Sequence, residues 1–267
     1  MGEVNAVNVI VNAFIFLVTG SAAWNVNEIM AYLNPNRLEG SFFDIRDSSL
    51  AYPRRNTLPL AMMVKVIIGS SLAVLALGEL SSVLRGKYSL KTALYNFIRV
   101  YGLFVYGWFI HTLWVMTTKG VLVTPRPHFI ESCKPDMSKV TGSDSLVPLS
   151  VCTANEKTMK DATGSFPSGH AAIACYACFF WLFYAQTKLP SNTPKMVTAF
   201  LQGVTLMVSF LSSVTRIVDN RHSWSDVIVG VIFGVLLAVW MANLSGTLPK
   251  FVKPTKEQPP AARLKTD

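Results

Sequence analysis

Long apolar runs alternate with short polar segments along most of the chain. Several runs approach or exceed the roughly 20 apolar residues that a helix needs to cross the hydrocarbon core of a bilayer. Six of them predict membrane-spanning helices, at residues 7–24, 58–80, 94–116, 170–186, 196–216 and 226–244. The pattern therefore predicts an all-α, polytopic membrane protein built as a six-helix bundle.

The same pattern divides the chain into one membrane domain and a tail. Residues 1–249 hold all six predicted spans, whereas residues 250–267 are rich in Pro, Lys, Gln and Ala and predict a disordered, cytoplasmic tail. The first run lacks a basic segment before it and is followed by further spans. We therefore interpret it as a retained helix and not as a secretory signal.

Composition supports the membrane class and argues against nucleic-acid binding. Only 15% of the 267 residues are charged, whereas about a quarter are charged in an ordinary soluble domain. The net charge of +9 comes from dispersed Lys and Arg residues with no aromatic–basic pattern. Basic residues in the short loops after the second and fourth spans and in the tail predict that these segments, and both termini, are cytoplasmic.

Cysteine placement fits this topology. Cys133 and Cys152 lie in the long loop on the predicted outer face, where a disulfide between them would persist. Cys175 and Cys178 form a C-x-x-C pair inside the fourth predicted span. Without a second pair or a nearby His at metal spacing, packing is favoured over a redox or metal role.

Three polar clusters interrupt the apolar pattern, and the span count places all of them on the outer face. They are "KGVLVTPRPHF" with Lys119 and Arg126, "PSGH" ending at His170, and "TRIVDNRHSWSD" with Arg216, His222 and Asp226. Each has an ordinary interpretation alone: interfacial anchors, a turn, or a hydrogen bond at a helix start. Their joint position at one interface favours a site.

The residue types in these clusters suit phosphate chemistry. Lys119, Arg126 and Arg216 offer positive charge and forked donors. Ser168 and Gly169 open a helix, whose backbone N–H groups and positive end attract an anion. The clusters therefore predict a phosphate site at headgroup depth.

The histidines would make such a site reactive. His222 can attack phosphorus if a carboxylate holds its other ring nitrogen, and Asp226 follows it by four residues. His170 can protonate the leaving oxygen and later activate water. Because Lys and Arg meet the charge of the transition state, this chemistry requires no metal and no cofactor.

At these residues the sequence resembles the lipid phosphate phosphatase branch of the type 2 phosphatidic acid phosphatase superfamily. The signature of that family is Lys, six residues, Arg-Pro; then Pro-Ser-Gly-His; then Ser-Arg, five residues, His, three residues, Asp. All three motifs occur here at the family spacing, and "FFDIRDSSLAYP" is also similar to that branch. Thr215 stands where the pattern has Ser, and it keeps the hydroxyl group.

The resemblance implies an enzyme with six spans and a site that faces the outside or the lumen. It implies magnesium-independent hydrolysis of phosphatidic acid, lysophosphatidic acid, ceramide 1-phosphate and sphingosine 1-phosphate through a phosphohistidine. It assigns His222 as nucleophile, Asp226 as its partner and His170 as acid. The phosphate would be bound by Lys119, Arg126, Ser168, Gly169 and Arg216.

Some points stay open at this level. The plasma membrane is expected, with the endoplasmic reticulum or Golgi as alternatives, and both the monomer and a homo-oligomer are compatible with the sequence. Two other functions compete: a catalytically silent membrane adaptor or lipid-binding protein, and a phosphatase for soluble or isoprenoid phosphates. The complete set of His170, His222 and Asp226 argues against the silent adaptor.

Overall fold

The computed structural model describes residues 6–140 and 145–248, and this part of the chain is mostly helical. Its helices are α1 (Ala6–Trp24), α2 (Val26–Leu33), α3 (Leu60–Leu84), α4 (Leu90–Val121), α5 (Phe129–Cys133), α6 (Glu156–Ala162), α7 (Gly169–Lys188), α8 (Lys195–Val218) and α9 (Trp224–Ser245). The predicted tail at residues 250–267 lies outside the described residues.

The described residues contain four candidate spans, or five if one bent pair of helices counts as a single span. Helices α3, α4, α8 and α9 are each long and apolar enough to cross a membrane. Asn8–Trp24 and Val26–Leu33 meet the same criterion as a pair, although the two helices are bent by 63°. The span predicted at residues 170–186 forms α7, which is not in this set. The predicted count of six is therefore not established.

The position of α7 explains why it differs from the other long helices. It packs against α3, α4, α8 and α9, and half of its residues are buried, including Tyr176, Phe180 and Tyr184. A helix enclosed by protein meets little lipid, so it tolerates hydroxyl and small side chains that a lipid-facing helix would avoid. Helix α7 is thus the centre of the bundle.

Two glycines allow α9 to approach α7 closely. A Cβ atom at Gly234 would lie 2.2 Å from the carbonyl oxygen of Ala172, and one at Gly230 would lie 2.5 Å from that of Ser168. The Ser168 N–H also donates to the Asp226 carbonyl oxygen at 3.0 Å. These contacts hold the first turns of α7 and α9 side by side, which brings two of the polar clusters together.

A buried ion pair joins α3 to the C-terminal end of α7, at the opposite end of the bundle. Glu79 of α3 lies 2.6 Å from the Nζ of Lys188 at the end of α7. Tyr184 donates a hydrogen bond to Glu79 at 3.0 Å, and Tyr88 bonds the same carboxylate. Because the Glu79 side chain is buried, these donors offset the cost of removing its charge from water.

A small cap covers the end of the bundle that carries the polar clusters. Strands β1 (Phe42–Asp44) and β2 (Leu146–Pro148) pair antiparallel, so the all-α prediction missed a short sheet. Cys133 and Cys152 are joined in a disulfide with a Cα–Cα distance of 4.7 Å. In contrast, Cys175 and Cys178 are free and buried, and Cys175 contacts the Ser209 hydroxyl at 3.1 Å.

Candidate active site

One cavity of about 840 Å³ opens where the C-terminal ends of α4 and α8 meet the start of α7. Six residues of the predicted site line it: Lys119, Arg126, Gly169, His170, Arg216 and His222. Ser168 and Asp226 are buried and do not line the cavity. The structure therefore brings the three polar clusters to one place.

The start of α9 fixes the carboxylate of Asp226. Ser223 caps the helix, and its backbone N–H donates to Asp226 Oδ2 at 2.8 Å in a capping box. The Ser165 hydroxyl donates to the same oxygen at 2.6 Å. His222 Nδ1 lies 3.7 Å from it, which is longer than a hydrogen bond. A catalytic contact of this kind often tightens only when substrate binds.

His222 itself is buried beside this carboxylate. Burial lowers the pKa of His222 to about 4, against the opposing influence of Asp226. The imidazole is therefore neutral at neutral pH, the form in which a ring nitrogen is nucleophilic. With Nδ1 turned to Asp226, Nε2 is the nitrogen left to react.

His170 begins the first turn of α7. No residue of the described chain hydrogen-bonds its buried Nε2 atom, so this nitrogen is available to a ligand in the cavity. His111 is the other histidine of the cavity; its Nε2 lies 3.2 Å from the Gly169 carbonyl oxygen. That contact holds the ring against the start of α7, and its Nδ1 atom has no partner among the described residues.

Ser168 departs from its predicted contribution. Its N–H donates to the Asp226 carbonyl oxygen at 3.0 Å, and its hydroxyl accepts from the Ala171 N–H at 3.4 Å. The backbone N–H that we expected to bind an anion is thus already bonded to α9. Gly169 does line the cavity, so the helix start reaches the cavity through Gly169.

Arg126 is held by the cap. Its Nε donates to the Asp161 carbonyl oxygen at 2.7 Å, and a second nitrogen bonds Asp161 Oδ1 at 2.9 Å. Burial lowers the pKa of Arg126 while Asp161 raises it, and an arginine remains charged in such a setting. The third guanidinium nitrogen donates to the Arg221 carbonyl oxygen at 3.4 Å, so these three bonds fix the plane of the group at the edge of the cavity.

The other two cations are also oriented by specific acceptors. The Lys119 ammonium donates to the carbonyl oxygens of Gly164 and Ser165, the latter at 3.3 Å. Arg216 is 1% exposed and bonds Asp219 Oδ2 at 3.0 Å. Its Nε also lies 3.4 Å from the Thr215 hydroxyl, so the residue that replaces the family Ser still contacts this arginine.

Residues 55–57, which precede α3, hydrogen-bond the loop that follows α8. The Thr57 N–H and hydroxyl both donate to the buried carboxylate of Asp219, at 2.8 and 2.6 Å. The Arg55 N–H donates to the Asp219 carbonyl oxygen, and its own carbonyl accepts from Arg221 Nε at 2.8 Å. This segment therefore supports Arg216 and Arg221 from outside the motifs.

Sequence reasoning missed three charged residues here. Asp219 and Arg221 lie between Arg216 and His222, so their position inside a motif was an available signal. Asp161 had no local signal, since only folding of the cap brings α6 to Arg126. Arg221 lines the cavity beside His222, and Arg37, Lys157 and Lys160 are further cations of its lining.

Comparison with known proteins matches this geometry to a family. The model described as the PAP2 superfamily matches residues 95–250, which include every residue of the predicted site. The chain belongs to the PAP2 superfamily. Its similarity to curated relatives extends beyond that region, and no solved structure gives a significant match.

The relatives carry phosphatase names. The chain is 29% identical over 202 residues to phospholipid phosphatase 1 of Mus musculus, covering 73% of this chain and 71% of the relative. It is 28% identical over 197 residues to phospholipid phosphatase 2 of Homo sapiens, covering 72% of this chain and 68% of the relative. The protein is therefore a phosphatase, and its apolar helices make it a membrane protein.

Proposed function

We propose that the protein is an integral-membrane, magnesium-independent lipid phosphate phosphatase that acts through a phosphohistidine intermediate. The substrates would be phosphomonoesters of lipids: phosphatidic acid, lysophosphatidic acid, ceramide 1-phosphate and sphingosine 1-phosphate. One observation carries the proposal: His170 and His222 line the same cavity as the motif cations Lys119, Arg126 and Arg216 and an apolar wall.

The cations would bind the phosphate before reaction. Lys119, Arg126 and Arg216 reach the cavity from α4, the cap and α8, so they surround the phosphate on different sides. A guanidinium pairs with phosphate oxygens through two parallel donors. The charge that builds on those oxygens is met by groups that are already oriented, and this lowers the barrier without reorganisation.

The histidines would then transfer the phosphoryl group in two steps. Nε2 of His222 attacks phosphorus and forms an N–P bond while the bond to the lipid oxygen breaks. His170 donates a proton to that oxygen, and the lipid alcohol leaves. His170 next takes a proton from water, whose oxygen attacks phosphorus, and the N–P bond breaks to release phosphate. Asp226 stabilises the charge on His222 throughout.

The apolar wall supports a lipid over a soluble phosphate ester. Leu60 and Val64 of α3, Trp108 and Val115 of α4 and Ile173 of α7 line the same cavity as the cations. These side chains lie on candidate spans or on the central helix, so the cavity extends from the polar interface toward the bilayer core. A lipid phosphate presents the same order of polar head and apolar chain.

We propose the following arrangement in the membrane. Residues 1–249 form one six-span domain in which α7 counts as a span although protein surrounds it. Both termini and the tail at 250–267 are cytoplasmic, and the cavity opens to the extracellular or lumenal side. The plasma membrane is our proposed compartment, and a homo-oligomer is compatible with the arrangement.

Phosphate release from phosphatidic acid tests the proposal. Purified protein in detergent with a chelator should release phosphate, and His222→Ala should abolish both release and the labelled phosphoenzyme. His170→Ala should slow turnover yet still form phosphoenzyme from a substrate with a good leaving group. No release by the wild type rejects the lipid phosphatase. Equal phosphoenzyme in wild type and His222→Ala reassigns the nucleophile.

A further inference from the structure

Three asparagine side chains line the cavity without belonging to any motif. They are Asn27 and Asn34 of the α2 region and Asn56 of the segment before α3; we call them the amide rim. No described residue hydrogen-bonds the side-chain amide of Asn27 or Asn56. Asn34 donates through Nδ2 to the Gly120 carbonyl oxygen at 3.1 Å, which leaves its Oδ1 without a described partner.

The amide rim flanks the phosphate-binding cations on two sides. Gly120 directly follows Lys119, and Met30 packs against it so closely that a Cβ at Gly120 would lie 2.7 Å from the Met30 Cε. Asn34 is thus fixed next to Lys119. On the other side, Asn56 lies between Arg55 and Thr57, which both bond Asp219, the partner of Arg216.

The chemistry of the rim differs from that of the cations. A carboxamide is neutral and offers both donors and an acceptor, so it adds little to the binding of a dianion. It suits neutral oxygen groups such as ester carbonyls, which accept, and hydroxyls, which accept and donate. In a lipid phosphate these groups lie in the linker between the phosphate and the chain.

We propose that the amide rim is a subsite for the oxygen-bearing linker of glycerol- or sphingoid-based lipid phosphates, which deepens the proposed function and rests on it. The cations bind the phosphate and the apolar wall contacts the chain. The rim hydrogen-bonds the oxygen groups of the linker that joins phosphate to chain. Asn27 and Asn56 are exposed in the free protein, and a bound lipid would cover them. An analogue that lacks the oxygen groups would then leave these amides unpaired, so the site discriminates against it.

Two substrates with the same chain separate this role from phosphate binding. Palmitoyl lysophosphatidic acid carries an ester carbonyl and a hydroxyl in its linker, whereas hexadecyl phosphate carries only phosphate and chain. Asn27→Ala and Asn56→Ala should each lower kcat/KM for lysophosphatidic acid by about five- to tenfold, the usual effect of one lost hydrogen bond. Neither should change kcat/KM for hexadecyl phosphate by more than about twofold.

Controls distinguish the rim from a structural effect and from failure of the proposed function. Asn36→Ala changes an asparagine two residues after Asn34 that does not line the cavity. It should leave kcat/KM unchanged for both substrates. Equal losses on both substrates, no loss on either, or a wild type that does not distinguish them would overturn the subsite. A wild type that hydrolyses neither substrate rejects the lipid phosphatase itself.

Discussion

At the scale of single residues, the site depends on groups that orient other groups. Arg126 is held by Asp161, Arg216 by Asp219, and Asp226 by Ser165 and Ser223. Arg126, Arg216 and Asp226 are motif residues, and their spacing predicted them as site residues. The residues that orient them are not motif positions: Asp161 comes from the cap, Ser165 precedes α7, and Asp219 and Ser223 lie between Arg216 and Asp226.

Arg126→Lys tests the forked geometry. A lysine supplies one nitrogen in place of the three that Arg126 directs to Asp161 and to the Arg221 carbonyl oxygen. Losing charge-assisted bonds of this kind should lower kcat/KM for phosphatidic acid by about ten- to a hundredfold. Arg85→Lys, which lies at the opposite end of the bundle near Lys188, is the matched control. An unchanged rate for Arg126→Lys would remove Arg126 from the phosphate site.

The buried, neutral state of His222 predicts a pH-dependent contribution to stability. Its pKa is about 4 in the folded protein against about 6.5 in an unfolded chain. Between these values only the unfolded state takes up the proton, so folding stability falls as pH decreases from about 6.5 to about 4. The full pKa difference lowers the free energy of unfolding by ~3 kcal/mol at acidic pH.

Thermal unfolding in detergent measures this contribution. The Tm of the wild type should fall more steeply than that of His222→Gln between pH 7 and pH 4.5, since glutamine does not titrate. Other groups that titrate in this window contribute to both proteins and cancel in the difference. Parallel Tm curves would show that His222 is not held neutral by the fold.

At the scale of elements, the length of the apolar runs predicted the long helices well but did not predict the short ones. The runs at 58–80, 94–116, 196–216 and 226–244 correspond to α3, α4, α8 and α9, because a stretch that must cross a bilayer is marked along its whole length. Helices α2 and α6 have eight and seven residues. Helices this short depend on tertiary contacts, which the hydropathy of the chain does not show.

The contact between α7 and α9 can be tested through its glycines. A methyl group at Gly234 would press on the backbone oxygen of Ala172, at 2.2 Å. Because the backbone can move less easily than a side chain, Gly234→Ala should cost ~3 kcal/mol of stability. In α8, Gly203 has no atom within 4 Å of an added Cβ, so Gly203→Ala should be neutral or stabilising by up to ~1 kcal/mol.

Thermal stability and activity in detergent distinguish these two variants. Gly234→Ala should lower both the Tm and phosphate release, since the contact also aligns His170 with Asp226. If Gly234→Ala unfolds at the wild-type temperature, the glycines do not act through packing of α7 against α9.

At the scale of the whole molecule, the bundle has two chemically different ends. The cavity and the disulfide-bonded cap lie at one end, and the Glu79–Lys188 pair lies at the other. Counting apolar runs predicted that the three polar clusters share one face, and residues of all three line one cavity. The cap did not, because its sheet and the contacts of Asp161 join segments that are distant in the sequence and have no periodic pattern of their own.

Cysteine labelling in intact cells tests which end faces outward. Lys157 lies on α6 and Lys87 in the loop between α3 and α4, and both are exposed. The native background is low because Cys133 and Cys152 are bonded and Cys175 and Cys178 are buried. We expect a membrane-impermeant maleimide to label Lys157→Cys in intact cells and Lys87→Cys only after permeabilisation. The reverse result would place the cavity on the cytoplasmic side, where basic short loops are expected instead.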